Sequence, residues 1–238
     1  MVAFVGLRGA GWACQAGVGG SARFGVRRLA WRMPMTSGPT VRPYRPTDLD
    51  DVYDICVRTA DAGGDARGMY GDDRLVGDIF AAPYVCLEPE HAYMLDDGHG
   101  RAVGYVVGTA DTARFVARYR LEWIPRTADR RPVPSDPPTT LDEGMLAAHH
   151  RPERMLRQEI DEYPAHLHID ILPPWQGKGW GRQLLGRFLQ SLRAAGVAGV
   201  HLSMLTANVG ARTFYDRLGF VELRSEPPLS YLGRSTGP

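Results

Sequence analysis

The sequence has 238 residues and a formal net charge of +1, so its length suits a single domain and its charge gives no sign of a nucleic-acid partner. Its three cysteines are widely spaced and form no Cys-x-x-Cys pair, which argues against a disulfide framework or a structural zinc site and for a reducing, cytoplasmic compartment. No apolar run approaches the ~20 residues that a membrane span needs.

The first 34 residues contain seven glycines and five arginines but no acidic residue. Such a start can be a transit peptide, whereas a secretory signal needs a compact apolar stretch and a cleavage site. We favour a disordered or wrongly assigned N-terminal extension over residues 1–34, with Met33 or Met35 as the true first residue. Residues 35–238 are then expected to form one domain.

From Thr40 onward the pattern of apolar residues predicts five elements. These are an edge strand at Val41–Tyr44, a helix that starts at Pro46, a second helix at Asp72–Ala81, and strands at Ala92–Leu95 and Ala102–Thr109. Thr47 or Asp48 is the expected N-cap of the first helix. The segment Asp96–Gly100 between the two strands has the composition of a hairpin turn.

Residues 111–163 are predicted to be an insertion into this domain. A helical piece at Ala113–Trp123 precedes a proline-rich loop, and a second helical patch at Leu141–Ile160 carries several acidic side chains. Compact domains rarely hold so long a connection without a function for it. We interpret it as a wall of a binding site, with a homodimer contact as the alternative. Its acidic run is typical of a solvated helix face, although it could also attract an amine.

The central stretch of the chain is His166–Leu192. Polar and apolar residues alternate over its first seven positions, which predicts a strand that two prolines end. From Trp180 the apolar residues have helical spacing, and Gly196 can cap that helix. A glycine-rich turn lies between strand and helix. The last strands are expected near residues 220–224 and 229–232, with a tail that frays from Gly233.

A glycine-rich turn between a strand and a helix is a phosphate cradle. Glycines let a ligand approach the backbone, the freed N–H groups point outward, and the first helical turn adds partial positive charge. A P-loop is excluded because Lys178 is followed by glycine, and a dinucleotide site lacks the acidic residue that should end the next strand. What remains is the spacing Gln176-x-x-Gly179-x-Gly181.

This spacing resembles the pyrophosphate loop of the GNAT superfamily of acetyl-CoA-dependent acetyltransferases. A second block, Asn208–Phe220, resembles the family's Asn-x-x-Ala-x-x-Phe-Tyr element with its later Gly-Phe, and it lies about thirty residues further on, as one βαβ unit requires. The resemblance implies an α/β (α+β) GNAT fold, with a mixed central sheet of six to seven strands flanked by helices. Residues 35–238 would form this single domain, with residues 111–163 inserted.

A narrower resemblance covers about residues 40 to 232. The segments Ala82–Tyr84, Leu87–Pro89 and Tyr163–Pro173 are similar to the acetyltransferase-like domain at the C-terminus of animal O-GlcNAcase and its free-standing bacterial relatives. The animal domain is generally regarded as a pseudo-acetyltransferase, whereas this chain keeps the full Gln-x-x-Gly-x-Gly loop. Two functions are therefore weighed: an acetyl-CoA-dependent N-acetyltransferase (EC 2.3.1.-) with an amine acceptor, and a module that binds acetyl-CoA or a partner without turnover.

The resemblance also implies the residues that hold acetyl-CoA, the co-substrate. Backbone N–H groups of the turn would bind the pyrophosphate, Gln176 would brace it, and the two prolines would splay the strand and leave backbone groups unpaired at its end. The residues implied are Ile171, Leu172, Gln176, Gly177, Lys178, Gly179, Trp180, Gly181, Arg182, Asn208 and Ala211.

The chemistry needs an acid for the leaving thiolate and a base for the ammonium. The resemblance implies Tyr215 as the acid, although an aromatic side chain packed beside Phe214 is the plainer interpretation. For the base we rank Asp170 first, His168 second and Glu88 third, because burial raises the pKa of a carboxylate towards neutrality and histidine starts there. Each of these residues could instead make a structural hydrogen bond across the sheet.

A metal site is the last alternative. His166-x-His168-x-Asp170 resembles the His-x-His-x-Asp-His motif of metallo-β-lactamase-like hydrolases, but Ile171 stands where the final histidine should be. His201 on the neighbouring strand is the only obvious further ligand. We therefore expect no metal.

Overall fold

The sheet at the centre of the molecule is mixed and has seven strands in the order β1-β2-β3-β4-β5-β7-β6. The computed structural model of the chain describes residues 38–237, so the prediction for residues 1–34 lies outside the described residues. The strands are β1 (Thr40–Pro43), β2 (Ala92–Asp96), β3 (Ala102–Thr109), β4 (Ala165–Ile171), β5 (Gly199–Leu205), β6 (Val221–Glu226) and β7 (Leu229–Ser235). The predicted fold class, a mixed sheet of six to seven strands flanked by helices, is confirmed.

Helices connect the strands on both sides of the sheet. Within the described residues they are α1 (Leu49–Val57), α2 (Leu75–Phe80), α3 (Ala82–Leu87), α4 (Thr112–Arg118), α5 (Ile124–Thr127), α6 (Leu141–His150), α7 (Trp180–Ala194) and α8 (Val209–Asp216). A π-helical stretch at Tyr119–Trp123 joins α4 to α5. None of the helices in residues 38–237 has the length and apolar character to cross a membrane.

The core has a layer on each face of the sheet. On one face, α7 presses the Phe188 ring against Gly108 of β3, where an added Cβ would lie 2.6 Å from the ring. Because side chains alternate along a strand, Tyr105 of β3 points to the opposite face, where it is fully buried beside Cys56 of α1. The sheet is therefore covered on both sides, and a ligand can enter it only where the strands separate.

Two helix ends follow the sequence signals closely. The Asn208 side chain accepts a hydrogen bond from the N–H of Ala211 at 2.9 Å and caps α8. Gly196 follows the end of α7 with a φ of 74°, a left-handed conformation that favours glycine. These caps fix where α7 and α8 begin and end beside the central strands.

The predicted cap of α1 is not formed by Asp48. Its carboxylate is buried and accepts hydrogen bonds from the Arg42 guanidinium at 2.7 and 2.8 Å and from the N–H of Arg45 at 2.7 Å. Arg42 lies on β1 and also donates to Asp96 of β2 at 2.7 Å. Asp48 therefore ties the edge of the sheet to the first helix, and a buried charge pair outweighs the local capping geometry.

Several predicted helix boundaries were wrong because prolines begin or end helices at positions that the sequence pattern did not indicate. Pro83 and Pro125 lie in the first turns of α3 and α5, where a missing N–H costs no hydrogen bond, so both segments are helical. The second helical patch ends at His150 because Pro152 follows it. The tail also does not fray at Gly233, which pairs with both neighbouring strands inside β7.

The insertion is anchored to the domain through Asp78 of α2. This carboxylate is fully buried and accepts hydrogen bonds from Tyr53 at 2.5 Å, from Arg130 at 3.0 Å and from Arg131 at 2.8 Å. Burial opposes ionisation, but the hydrogen bonds from Arg130 and Tyr53 outweigh it and the pKa of Asp78 is lowered. The loop after α5 is thus held in place rather than trailing over the surface.

Candidate functional site

The turn between β4 and α7 leaves its backbone donors exposed. Gly177 and Gly179 have φ values of 71° and 83°, and no heavy atom lies within 4 Å of the Cβ position of either. Within residues 38–237, the N–H groups of Gly177, Lys178 and Gly179 have no acceptor. They stand at the positive end of a 15-residue helix. The turn fits a phosphate group.

The side chains of the turn support this arrangement. Gln176 donates from Nε2 to the carbonyl of Ile171 at 2.7 Å, which braces the turn against the end of β4 as predicted. The Lys178 ammonium lies 5.6 Å from the Trp175 ring centroid. Lys178 and Arg182 are both exposed, so two cations are available beside the free amides.

Gly181 has a packing role that the spacing alone does not reveal. A Cβ at this position would lie 2.8 Å from the Phe214 ring of α8. The glycine therefore lets α7 and α8 approach each other, and this contact holds the two sequence blocks together. Gly186 lies further along α7, and no heavy atom lies within 4 Å of its Cβ position.

We expect Gly181→Ala and Gly186→Ala to change stability in opposite directions. The methyl group at position 181 has to displace the Phe214 ring, which should lower the free energy of unfolding by about 1–2 kcal/mol. The methyl group at position 186 meets open space in a helix interior and should raise it by about 0.5–1 kcal/mol. Urea denaturation of both variants measures this. Equal effects at the two positions would contradict the packing described here.

The sheet opens between its two central strands. β4 and β5 run parallel, but they pair only at Ala165 with Val200 and at His166 with His201. The pairing thus ends well before Pro173, so the prolines do not cause the separation. In the antiparallel pair with β3, alternate residues of β4 point their backbone groups away from β3, which leaves the N–H groups of Ile169 and Ile171 facing the opening.

The prediction for the backbone of Leu172 was wrong. Its N–H donates to the carbonyl of Val103 at 3.0 Å, and its side chain is buried. The carbonyl of Ile171 is also engaged, because it accepts the hydrogen bond from Gln176. The backbone donors that the opening offers are therefore those of Ile169, which was not predicted, and Ile171, which was.

Asp170 lies beside this opening on the face that carries α1. Its carboxylate accepts a hydrogen bond from the Tyr105 hydroxyl at 2.7 Å. Desolvation raises its pKa to about 6, although the hydrogen bond from Tyr105 works in the other direction. A carboxylate with this pKa is deprotonated at neutral pH and still basic enough to accept a proton.

Tyr215 reaches the same region from α8. Its ring is buried and packs edge-on against Phe214 and Phe220, with centroid distances of 5.2 and 5.3 Å. Burial raises the pKa of its hydroxyl, and the negative charge of Asp170 adds to the shift. The hydroxyl makes no hydrogen bond with any described residue. Tyr215 is thus a packed aromatic, as the plainer interpretation held, with a free O–H beside a carboxylate.

His166 and His168 belong to a chain of hydrogen bonds. The Thr112 hydroxyl donates to the carbonyl of Pro164 at 2.7 Å, so it has to accept from Nδ1–H of His166, 2.7 Å away. The other nitrogen of His166 then accepts from the Tyr84 hydroxyl at 2.7 Å. Tyr84 in turn can accept from Nε2–H of His168 at 3.2 Å. This order of donors assigns the tautomer of each ring.

Both histidines are neutral in this environment. Desolvation lowers the pKa of His168 to about 3 and that of His166 well below its usual range. A group that takes a proton only near pH 3 is a poor base at neutral pH. The structure therefore favours Asp170 over His168 as the proton acceptor. Glu88, the third candidate, is buried at the C-terminal end of α3.

The metal interpretation gains no support from the described residues. Among residues 38–237, no group of three or more His, Cys, Asp or Glu side chains is placed to hold a metal ion. Both ring nitrogens of His166 are occupied by neutral hydrogen-bond partners. His201 donates from Nδ1–H to the carbonyl of Tyr163 at 2.6 Å. The histidines of this strand act as parts of a hydrogen-bond network.

A cavity of about 620 Å³ continues from the opening. Its floor is His166–His168 of β4, and its walls come from α2, α3, β5, β7 and the insertion between Pro138 and Arg157. The expectation that residues 111–163 form a wall of a binding site agrees with this placement. Two acidic side chains of the insertion serve elsewhere, since Glu143 caps α6 and Glu153 pairs with Arg120.

Sequence reasoning missed Tyr105, Tyr84 and the two cavity arginines, Arg154 and Arg157. Tyr105 lies in an uninterrupted apolar strand and looks like an ordinary core residue until its antiparallel partner is known to be Asp170. The arginines lie in a segment that was interpreted as an acidic helix face. The only local signal for them is their spacing of three residues.

Known proteins resemble this chain in sequence and in fold. A family model described as "Acetyltransferase (GNAT) domain" matches residues 146–222. The crystal structure of SsHAT is 59% identical in sequence with a TM-score of 0.83, and the match covers 85% of this chain and 100% of that one. The PaiA N-acetyltransferase of Thermoplasma acidophilum, solved in complex with coenzyme A, is 10% identical with a TM-score of 0.52, over 84% of this chain and 99% of that one. At that identity the likeness shows the fold alone.

A longer protein also matches. Protein O-GlcNAcase of Rattus norvegicus is 26% identical over 192 residues, which are 80% of this chain and 21% of that protein. The chain therefore spans about a fifth of the length of this relative.

Proposed function

The chain belongs to the GNAT family of acetyltransferases, and from that premise we propose that it transfers the acetyl group of acetyl-CoA to an amine, as an acyltransferase of class EC 2.3.1.-. The observation that carries the proposal is the adjacency of two features along β4. A turn with unoccupied amide donors follows the strand, and a basic carboxylate with a free tyrosine hydroxyl lies beside it. A module that only binds a coenzyme has no need of the second feature.

The turn and the opened strand would hold the coenzyme. Acetyl-CoA supplies an activated acetyl group, carried as a thioester on a long arm that ends in a diphosphate. The amides of Gly177–Arg182 would bind the diphosphate, with Lys178 and Arg182 adding charge. The N–H groups of Ile169 and Ile171 would donate hydrogen bonds to the arm. The arm would thus lie beside the part of β4 with which β5 does not pair.

Asp170 would accept a proton in the reaction, and Tyr215 would donate one. An alkyl amine enters as an ammonium with a pKa near ~10.4, so it has to lose a proton before its nitrogen can attack. Asp170 takes that proton, directly or through a water molecule. The carbon–nitrogen bond then forms, the carbon–sulfur bond breaks, and the Tyr215 hydroxyl gives the sulfur its proton. The new amide nitrogen releases its second proton, which returns Tyr215 to its neutral form. His168 would orient the acceptor through its free Nδ1.

Titration with acetyl-CoA, followed by a screen of amines, tests the proposal. We expect purified protein to bind acetyl-CoA with measurable heat and to release the free thiol faster when a suitable amine is present. Mass spectrometry should find one acetyl group on that amine for each thiol released. Binding without an acetylated product from any amine would favour the rival interpretation, a binding module.

We expect Tyr215→Phe to lower kcat by about tenfold without changing stability. The effect is smaller than for the base because a thiol of pKa near ~8.5 leaves readily even without a proton donor. The free energy of unfolding should stay within about 0.5 kcal/mol of the parent, since the hydroxyl has no partner among the described residues to lose. Steady-state kinetics and thermal denaturation measure the two quantities. Tyr93→Phe on β2 serves as the control, and an equal loss of kcat in both variants would contradict the role of Tyr215.

A further inference from the structure

The cavity beside β4 has an unusual balance of charge for a site that would receive an amine. Among the residues whose side chains the structure describes, no aspartate or glutamate lines it, whereas Arg154 and Arg157 both do. Within residues 38–237, neither arginine forms an ion pair with a carboxylate. The lining histidines His166 and His168 are neutral and add no charge. The field inside the cavity is therefore positive.

Both arginines are positioned by contacts that leave their outer nitrogens available. The Arg154 guanidinium lies 5.4 Å from the Phe80 ring centroid, and its Nε donates to the carbonyl of Ala148 at 3.0 Å. The Arg157 guanidinium lies 5.5 Å from the Tyr231 ring centroid. The terminal N–H groups of Arg154 and Arg157 have no acceptor among the described residues. Such donors suit a planar, bidentate anion.

The two guanidinium groups would repel a polycationic acceptor. A polyamine or a lysine-rich peptide brings further positive charge into a cavity to which the described residues contribute two guanidinium groups and no carboxylate, and like charges at close range are costly where water is excluded. An acceptor with its own anionic group would instead satisfy the arginines while its amine points towards Asp170. The aromatic walls would cover the rest of such a molecule, and a volume of about 620 Å³ is that of a small-molecule site.

We propose that the acceptor is a small amine that also carries a carboxylate or a phosphate, and that Arg154 and Arg157 bind this anionic group. This inference rests on the proposed acetyl transfer and narrows its substrate class. It assigns the insertion a definite task, since both arginines and the facing wall at Pro138–Ala148 come from it. The insertion would then determine which acceptor the enzyme uses.

Pairs of amines that differ in a single anionic group test the proposal. Tyrosine and tyramine differ by a carboxylate, phosphoethanolamine and ethanolamine differ by a phosphate, and spermidine represents the polycations. For at least one pair, we expect kcat/KM to be about tenfold to a hundredfold higher for the anionic member, the range that charge-assisted hydrogen bonds supply. The pair that responds identifies which anion the site prefers.

Two variants link the preference to the arginines. Arg154→Gln and Arg157→Gln should each move the ratio of kcat/KM within the responding pair towards one. Arg151→Gln, in the same segment but exposed and paired with Asp136, should keep the parent ratio. Titration with acetyl-CoA shows whether each variant is folded and binds the co-substrate.

The outcomes separate this inference from the proposed function. Acetylation of tyramine, ethanolamine or spermidine at rates equal to or above those of the anionic amines would overturn the inference and leave acetyl transfer standing. An anionic preference that survives both arginine substitutions would also overturn it. If acetyl-CoA binds but no amine of the panel is acetylated, the proposed transfer fails and the inference fails with it.

Discussion

Gly179→Glu is expected to raise the dissociation constant of coenzyme A by a hundredfold or more. The new carboxylate would stand where Gly179 now leaves open space, next to the amides that receive the diphosphate. Two like charges about 4 Å apart repel by roughly 4 kcal/mol at an effective dielectric constant near 20, which is more than enough for a hundredfold change. Isothermal titration calorimetry measures the constant directly.

Two control variants separate charge from backbone strain. Gly179→Ala carries the same penalty for a φ of 83° but adds no charge, so we expect at most a tenfold weakening. Gly186→Glu adds the same charge to the same helix at an exposed position, and it should bind coenzyme A as the parent does. A glutamate at position 179 that binds no worse than alanine there would contradict the phosphate cradle.

Asp170→Asn is expected to lower kcat/KM by about a hundredfold or more, the usual contribution of a general base. The amide keeps the shape of the side chain and can still accept from Tyr105, so the loss should come from proton transfer alone. In the parent, activity should rise with pH through about 6, because the carboxylate has to be deprotonated to act. The asparagine variant should show no such step. A pH profile of kcat/KM for both proteins measures this.

The pH dependence of the free energy of unfolding tests the pKa of Asp170 independently of activity. Its pKa is raised in the folded state, so the protonated form contributes stability that is present at low pH and is lost as pH rises through about 6. The asparagine variant should therefore be at least as stable as the parent at pH 7, although it is far less active. Asp50→Asn, on an exposed position of α1, should change neither property. A large loss of stability in Asp170→Asn would show a structural role instead.

The sequence was informative wherever chemistry and conformation are local. The turn at Gln176–Arg182 and the end of α7 at Gly196 follow from residues within a few positions of one another, and the structure has both as expected. Glycine spacing and helix periodicity are enough for such features. The fold class followed from these blocks because they imply a known family.

The parts that sequence reasoning missed depend on contacts between distant segments. Asp48 was expected to cap a helix, but a buried arginine from β1 claims its carboxylate. The opening of the sheet was attributed to the prolines, yet it begins at His166, where β5 turns away. The insertion was expected to form a wall of a binding site, but the residues that face it could not be foreseen, because the insertion and three strands form the cavity together. Each of these features depends on contacts between segments that lie far apart in the sequence, rather than on a local sequence pattern.

The binding of the coenzyme at the turn is tested most directly by nuclear magnetic resonance of the backbone amides during a titration with acetyl-CoA. We predict that the largest changes in chemical shift fall on Gly177, Gly179 and Gly181, with further changes at Ile169 and Ile171 on the open edge of β4. Saturating acetyl-CoA that leaves the amide signals of the turn unmoved would contradict the account.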